Sequence, residues 1–416
     1  MPPRLALLDV RPLRLPAFRR LFLSSAVTAV GGQLTAFAVP IQLYRLTGSS
    51  LWVGLGSAAG LLPMVLAALW GGAVADRVDR RRVLLLGNAG IALCSLLLWT
   101  QAAAGLGSAA VLLLLIAGQQ ACFGANSTLR GAIVPRLVPA ELLPAANALQ
   151  STVSWLGGIG GPLLAGTLVV VTGLGPLYLL DGLALLAALI LAHRLPALPP
   201  TGGGAIGSGP DGSALRGIAA GLRYLTGQRI LLVAYLADFT AMFFGMPVAL
   251  FPQLAQQGLG TPAIGVFSAA ISLGALLAGA CSGSFTRLRR HGALVTLGVC
   301  GWGLAITGFG LVHSLWPAAV LLALGGAAIV VLSVFRKTIL QGAATDAMRG
   351  RLQGADTVIA AGGPRLAGLA HGTAGAAFGT GWAITGGGVL VVLVMLGTVA
   401  AVPAFWRYAP AQALAG

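Results

Sequence analysis

Three ionisable side chains, Asp181, Asp238 and Arg365, lie inside long apolar stretches of the sequence. A charge near the centre of a bilayer costs about 2.5–3.5 kcal/mol on insertion scales, so such residues are candidates for function. Asp238 is the strongest of the three, because a carboxylate there could carry a proton or bind a cationic substrate. The alternative is a carboxylate near the end of its stretch that Arg229 or Arg223 neutralises.

The other two charges have structural alternatives that we favour. Asp181 lies near the outer end of its stretch, where it would serve as a hydrogen-bond partner or be exposed at the interface. Arg365 could meet a carboxylate or an anionic substrate, or extend its guanidinium to water along its apolar stem. A pair between Asp238 and Arg365 would require that both face one cavity.

Neutral polar and aromatic residues in the same stretches could complete a binding cavity. The polar candidates are Gln33, Gln42, Gln119, Gln120 and Asn126, of which Gln33 is the most central. Each could instead hydrogen-bond a neighbouring helix, which contributes about 0.6 kcal/mol on average. Phe243 lies in the run Met242-Phe243-Phe244-Gly245-Met246, which suits either an adaptable apolar site or core packing.

The elements that must position these residues are membrane helices. Of the 416 residues 57% are hydrophobic and 8% charged, whereas about 25% of a soluble domain is charged, so a soluble globular fold is excluded. Twelve stretches approach the length of about 20 apolar residues that a crossing helix needs. They are 19–43, 51–75, 83–103, 109–129, 145–172, 175–193, 230–253, 262–285, 293–313, 315–335, 352–377 and 382–404. We predict an all-α membrane protein with twelve transmembrane helices.

The basic residues predict the orientation. If alternate stretches cross the membrane, all of the 25 Lys and Arg residues except Arg45 and Arg365 fall on one side, with Arg336 and Lys337 in a turn. Basic loops face the cytoplasm, so both termini are predicted to be cytoplasmic. The net charge of +16 comes from short flanks of apolar segments. It therefore favours contact with the lipid bilayer over nucleic-acid binding.

The stretches form two sets of six. We predict an N-terminal six-helix bundle over residues 1–193 and a C-terminal six-helix bundle over residues 229–416. Residues 194–228 between them are predicted to be a cytoplasmic linker, rich in Gly and Pro and followed by a short amphipathic helix over 215–225.

Two short matches indicate that the halves repeat. Residues 53–59 match residues 264–270, and residues 161–166 match residues 363–368. Each match is weak in a Gly-rich chain, but both fall at corresponding stretches. Two parallel six-helix halves with a substrate site between them are a transporter architecture.

The loop between the second and third stretches reads Gly72-Ala73-Val74-Ala75-Asp76-Arg77-Val78-Asp79-Arg80-Arg81-Arg82. This loop resembles the cytoplasmic signature loop of the major facilitator superfamily: a Gly, an Asp-Arg pair four residues later, then basic residues. The resemblance implies a conformational latch in which Asp76 faces the N-terminus of the eleventh helix, where a carboxylate is stabilised. The arginines Arg77, Arg80 and Arg81 would tie neighbouring helix ends together.

A latch that forms in only one conformation would favour that conformation. The alternative is a basic turn in which Asp76 merely pairs with local arginines. In the second half Arg287 takes the place of the acid, so we predict one strong latch rather than two.

The fifth and eleventh stretches each contain a Gly-Pro motif. The motif residues are Gly161, Pro162 and Gly166 in the first half and Gly363, Pro364 and Gly368 in the second. The first copy resembles the fifth-helix signature that the superfamily associates with exporters. Pro removes a helical hydrogen bond and small residues let helices approach, so the motif could be a hinge or a sliding contact. Ordinary small-residue packing is an equally weighted alternative.

Residues 126–149, together with Arg349-Gly350-Arg351, resemble the bacterial enterobactin-exporter and macrolide-efflux branch of this superfamily. The resemblance implies export of a small amphiphilic molecule such as a drug, antibiotic or siderophore, driven by protons. It also implies that the first, fourth, seventh and tenth helices line the central cavity, which places Asp238 there.

We conclude that the sequence predicts a secondary active transporter, working by alternating access as a monomer in the plasma (inner) membrane. No catalytic, metal or cofactor motif is apparent, so we expect neither an enzyme nor a bound cofactor. An importer or uniporter on the same fold is the main alternative, and a lipid-handling membrane protein is a weaker one.

Overall fold

The computed structural model of this chain describes residues 9–75, 78–197, 227–280, 290–343 and 346–409. These described residues form helices and no strands, so the predicted all-α class is confirmed for them. The first seven helices are α1 Pro16–Thr47, α2 Ser50–Ala59, α3 Leu61–Ala75, α4 Arg80–Ala103, α5 Ala109–Leu137, α6 Leu143–Thr172 and α7 Gly175–His193. The later long helices are α8 Arg229–Gly245, α9 Pro262–Ala280, α10 His291–Leu311, α11 Leu315–Ala343, α12 Asp346–Phe378 and α13 Thr380–Ala401.

Short helical turns complete the described chain. They are Arg11–Arg14, Ala140–Leu142, Pro247–Leu250, Phe251–Leu254, Ala255–Leu259 and Pro403–Trp406. The first turn follows Asp9, whose carboxylate accepts hydrogen bonds from the Arg11 side chain and backbone at 2.6–3.0 Å. These hydrogen bonds lower the pKa of the Asp9 carboxyl below its usual range.

Ten segments within the described residues are long and apolar enough to cross a membrane. Helices satisfy all backbone polar groups internally, which hydrocarbon requires. Their outer faces are apolar, with Leu86, Leu114, Leu304 and Leu324 each more than half exposed. Helices α6 and α12 fall on the two other predicted stretches, and the count of twelve crossings stays a prediction.

The chain divides into two compact units. The first contains residues 1–42 and 59–211, and the second contains residues 43–58 and 212–416. Residues 43–58, which join the first two predicted spans, thus group with the second unit. Most of the predicted linker lies outside the described residues, so the predicted bundle boundaries stay predictions.

In the first unit, apolar side chains from five helices meet in one core. Phe18 of α1, Leu84 of α4, Ile133 of α5, Ala146 of α6 and Ala192 of α7 are all buried there. Each helix therefore contributes one apolar face to the core and leaves its outer face to the surroundings.

The second unit is organised around Trp302 of α10, which is fully buried. Its indole N–H donates to the carbonyl oxygen of Ala241 in α8 at 3.0 Å. Gly325 of α11 lies under the indole ring, where a Cβ would come within 2.6 Å of Cε3. The indole N–H therefore has a hydrogen-bond partner. The rest of the ring fills the space that is left because Gly325 has no side chain.

Each unit has a turn of the same conformation between its last two long helices. Gly173 joins α6 to α7 with φ of +80°, and Gly379 joins α12 to α13 with φ of +85°. Only Gly adopts such a conformation without a steric cost, so both turns need it. This correspondence adds a structural match to the repeats in the sequence.

One predicted position is wrong. Arg336 and Lys337 do not lie in a turn, because α11 continues through them to Ala343. Arg336 is buried inside the second unit. Arg336 therefore lies inside the helix, and its guanidinium has a carboxylate partner, described below.

Replacing Gly274 by Ala should destabilise the second unit. A Cβ at Gly274 of α9 would overlap the carbonyl carbon and oxygen of Ala323 in α11, so the two helices would have to separate. Overpacking of this kind costs about 1–3 kcal/mol, and we expect a lower Tm in detergent. Gly279→Ala on the same helix is the matched control, since a Cβ there meets nothing within 4 Å. Equal melting temperatures for the two variants would contradict this prediction.

Candidate functional site

Asp238 of α8 forms a buried ion pair with Arg336 of α11. The distance between Asp238 Oδ1 and Arg336 Nε is 3.6 Å, and the side chains are 9% and 5% exposed. The Arg336 guanidinium carbon also lies 5.7 Å from the centre of the Tyr235 ring, a cation–π distance. Arg336 is thus the cation found beside Asp238, whereas Arg223, one of the two alternative partners named from the sequence, lies outside the described residues.

An aromatic cluster follows Asp238 on α8. The rings of Phe239 and Phe243 are stacked, with centroids 5.2 Å apart and 12° between their planes. Phe244 meets the edge of Phe243 at 5.0 Å. All three side chains are only partly buried. The cluster therefore has aromatic surface that core packing leaves uncovered.

Asp181 of α7 is fully buried, so the alternative of interfacial exposure is wrong. Its Oδ2 accepts hydrogen bonds from Thr35 Oγ1 at 2.6 Å and from Ser95 Oγ at 2.8 Å. Gln119 Nε2 donates to Ser95 Oγ at 3.0 Å and lies 3.5 Å from the same carboxylate oxygen. Helices α1, α4, α5 and α7 thus meet at one polar cluster, which we call the Asp181 cluster (Thr35, Ser95, Gln119 and Asp181).

Two other predicted polar residues have partners on neighbouring helices. Tyr178 donates its hydroxyl to Gln42 Oε1 at 2.7 Å. Asn126 Nδ2 donates to Asn88 Oδ1 at 2.8 Å, and both amides are buried between α5 and α4. The structure places Asn126 within this helix contact, and its role toward substrate stays a prediction.

Gln33 packs directly on the first Gly-Pro motif. A Cβ at Gly161 of α6 would overlap the Gln33 side chain, coming within 2.9 Å of its Cγ. Pro162 lies inside α6, and Gly166, one turn later, is buried. The motif therefore gives α1 and α6 a close contact at a partly buried polar residue.

The second Gly-Pro motif has a similar contact. Pro364 lies inside α12, and Gly363 faces Met242 of α8 at an ordinary packing distance. Gly368 lies against Ser57 of α2, where a Cβ would come within 2.6 Å of the hydroxyl oxygen. Arg365, between these residues, is partly buried.

The loop arginines of the first unit contact a helix end. Asp79 caps α4 by accepting from the backbone N–H of Arg81 at 2.9 Å. The Arg81 guanidinium donates to the carbonyl oxygen of His193 at the C-terminus of α7. Arg20 donates to the next carbonyl, that of Arg194, at 2.5 Å. A cation at a helix C-terminus is favoured by the exposed carbonyls there.

Other latch residues are less completely described. Gly72 lies within α3 and Arg80 is buried at the start of α4. Asp76 and Arg77 lie outside the described residues, as does Arg287. The latch as a whole therefore stays a prediction.

Sequence reasoning missed the partners of the two buried acids: Arg336 for Asp238, and Ser95 and Thr35 for Asp181. Ser95 and Thr35 are short hydroxyl side chains in apolar stretches, a type that commonly bonds its own helix backbone. Nothing in their spacing relates them to Asp181. Asp79 had a detectable signal, since an Asp directly before a helix is a favoured N-cap.

A profile of the family described as transmembrane secretion effector matches residues 9–411. The chain belongs to the major facilitator superfamily. The resemblance seen in the loop Gly72–Arg82 and in residues 126–149 is thereby confirmed. Members of this superfamily are transporters rather than enzymes, and this chain is a multi-pass protein of the inner membrane.

Its relatives include enterobactin exporters. The chain is 33% identical over 343 residues to enterobactin exporter EntS of Shigella dysenteriae serotype 1 (strain Sd197), covering 82% of this chain and 80% of that protein. The identity and coverage are the same for enterobactin exporter EntS of Escherichia coli O1:K1 / APEC. This chain is therefore a transporter of the enterobactin-exporter branch.

Solved structures share the fold. A bacterial homologue of the iron transporter ferroportin in an inward-facing state has a TM-score of 0.68 at 18% identity, covering 93% of this chain and 98% of that one. A POT family transporter has a TM-score of 0.72 at 15% identity, covering 93% and 96%. At such identities the likeness concerns the fold alone.

Breaking the buried ion pair from one side should cost more than removing both charges. Asp238→Asn alone removes the carboxylate charge from beside the buried Arg336 guanidinium, and breaking a buried pair from one side costs about 3–5 kcal/mol. The double variant Asp238→Asn/Arg336→Gln should recover at least half of the loss in Tm. Thermal unfolding of both single variants and of the double variant measures this coupling. Additive losses would contradict the pair.

The Gln33 contact predicts a specific role for Gly161. Gly161→Ala should displace α1 from α6 and reduce transport at least tenfold while leaving membrane insertion intact. The adjacent Gly160→Ala is the matched control, because a Cβ there meets nothing within 4 Å. Vesicle transport assays at equal protein density compare the two. Equal rates would mean that the contact has no part in transport.

Proposed function

We propose that this protein is a proton-coupled exporter of a small aromatic amphiphile, working by alternating access. The observation that carries the proposal is the relation to enterobactin exporters over most of the chain. Enterobactin, the compound named for those relatives, is accordingly the first substrate to test. The chain would act as a monomer with both termini in the cytoplasm.

The substrate class is supported by the aromatic cluster on α8. The stacked pair Phe239 and Phe243 is only partly buried, so part of its surface is available to a ligand. An aromatic ring against such a pair gains about 0.5–1.5 kcal/mol beyond the area it buries. Met242 beside the cluster can adapt to different shapes. A site of this kind suits a flat, partly apolar molecule better than a sugar or an ion.

Asp238 and Arg336 would act by holding this aromatic surface in place. The ion pair joins α8 to α11 immediately before Phe239, so it limits rotation of α8. A substrate with a polar edge could also approach the pair. Gln33, Gln119, Asn126 and Arg365 are further candidates for contact with the substrate, as the sequence predicts.

The helix contacts would supply the moving parts. We assign the bundles to residues 1–193 and 229–416 and the linker to 194–228. The Gly161 and Gly368 contacts would permit sliding, because the glycines themselves present no side chain to Gln33 and Ser57, which pack on them. The loop of Gly72, Asp76, Arg77, Arg80 and Arg81 would be the cytoplasmic latch, supported by the Arg81 bond to the end of α7.

The test is transport by the purified protein in liposomes. With an acidic lumen, protons leaving the vesicle should drive enterobactin inward, and a protonophore should abolish accumulation. Phe243→Ala should raise KM about two- to tenfold, as expected from the loss of stacking. Phe378→Ala is the matched control, because that ring is 73% exposed in the same unit.

Two results would contradict the proposal. Accumulation that ignores the imposed pH gradient would reject proton coupling and favour a uniporter. A KM that is equally changed in Phe243→Ala and Phe378→Ala would reject the aromatic cluster as the substrate site.

A further inference from the structure

The buried acids of the two units have different kinds of partner. Among the described side chains, Asp181 and Asp238 are the acids that are buried. Asp238 faces the Arg336 guanidinium, which stabilises its negative charge. The described residues offer Asp181 no cation within 4.0 Å, and its neighbours are hydroxyls and one amide. An ionised carboxylate in such a site lacks the counter-ion that a buried charge normally requires.

We propose that Asp181 is the site at which this transporter binds and releases its coupling proton. The proposal rests on the proton-coupled function stated above and names the group that would carry the proton. In the reaction one proton adds to Oδ2 of the carboxylate and gives a neutral carboxylic acid. No other bond to a heavy atom forms or breaks.

The hydrogen bonds around Asp181 suit both protonation states. With the acid ionised, Thr35 and Ser95 both donate to Oδ2. Ser95 Oγ also lies 3.1 Å from the carbonyl oxygen of Ile91, one turn earlier on α4. With the acid protonated, its O–H can donate to Ser95 while the Ser95 hydroxyl turns to Ile91. A hydroxyl both donates and accepts, so the exchange requires only its rotation.

The second carboxylate oxygen connects the site to α1. Oδ1 is buried and, within the described part of the chain, has no hydrogen-bond partner. It lies against the backbone of Gly31, where a Cβ would come within 2.7 Å. Thr35, which donates to the other oxygen, is one turn further along the same helix. A change of charge at Asp181 therefore acts on α1, which also carries Gln33.

The titratable groups next to the Asp181 cluster on the surrounding helices, Tyr178, Cys94 and Cys122, are uncharged at neutral pH. Tyr178 lies one turn before Asp181 on α7 and donates to Gln42. Cys94 of α4 and Cys122 of α5 are partly buried thiols at the contact of those helices. On α1 the neighbours are Gly31 and Thr35. No described charged side chain competes with Asp181 for the proton.

Infrared difference spectroscopy tests the site without any substrate. The protein is studied in a detergent that has no ester carbonyl, between about pH 9 and about pH 5. The wild type should gain a C=O stretching band of a protonated, buried carboxyl group. The band should be missing in Asp181→Asn and retained in Asp238→Asn. Absence of the band in the wild type, or its persistence in Asp181→Asn, would overturn the proposal.

Two milder variants keep the test valid if Asp181→Asn does not fold. Gly31→Ala pushes a methyl group against Oδ1 and should shift the band, whereas the adjacent Gly32→Ala meets nothing within 4 Å and should not. Ser95→Ala removes one hydrogen-bond partner and should also shift the band. If the band has the same frequency in Gly31→Ala and in Ser95→Ala as in the wild type, it arises from another acid, and the proposal is then wrong.

Transport separates this proposal from the function on which it rests. Asp181→Asn should retain exchange of enterobactin for enterobactin across the liposome membrane and lose more than tenfold of the accumulation driven by a pH gradient. If both activities fall together, Asp181 is structural. If the wild type ignores the gradient, the proposed function fails whatever the spectra show. If the wild type responds and Asp181→Asn responds equally, only the assignment to Asp181 fails.

Discussion

Buried polar groups in this protein must find partners inside the protein, because the hydrocarbon around it supplies none. The backbone meets this requirement by forming helices throughout the described residues. The buried side chains meet this requirement with different partners. Asp238 uses a cation, Arg336, whereas Asp181 uses neutral donors from three helices. The same requirement thus produces an ion pair in one unit and a polar cluster without a counter-ion in the other.

Close packing supplies most of the remaining specificity. Helix association in lipid lacks the hydrophobic driving force that acts in water, so it depends on how closely helices approach. Gly274 faces a carbonyl group of α11, and Gly161 faces the side chain of Gln33. Gly54 and Gly372 also meet, with a hydrogen bond from Ser50 to the Gly372 carbonyl at 2.9 Å beside them. This last contact explains why residues 43–58 group with the second unit.

The fold by itself does not decide the substrate. Structures with TM-scores near 0.7 include a peptide transporter and the nucleoside transporter NupG, at identities of 13%. The same helix arrangement therefore serves chemically different molecules, and specificity must lie in particular side chains. In the function proposed above, the partly exposed Phe239 and Phe243 are assigned that part. The relation to enterobactin exporters, rather than the fold, is what supports the proposed substrate class.

The sequence by itself determined the membrane class, the superfamily and the approximate positions of most helices, because these depend on local composition and on one loop, Gly72–Arg82. It also identified Asp181 and Asp238 as unusual, since a charge in an apolar stretch is visible without a structure. Only the tertiary structure decided their partners. Arg336 looked like a loop residue, and Ser95 looked like an ordinary helix residue. The way the helices pack determines which residues of distant helices become partners. Packing between helices leaves no periodic pattern in the amino-acid sequence, so these partners could not be predicted from it.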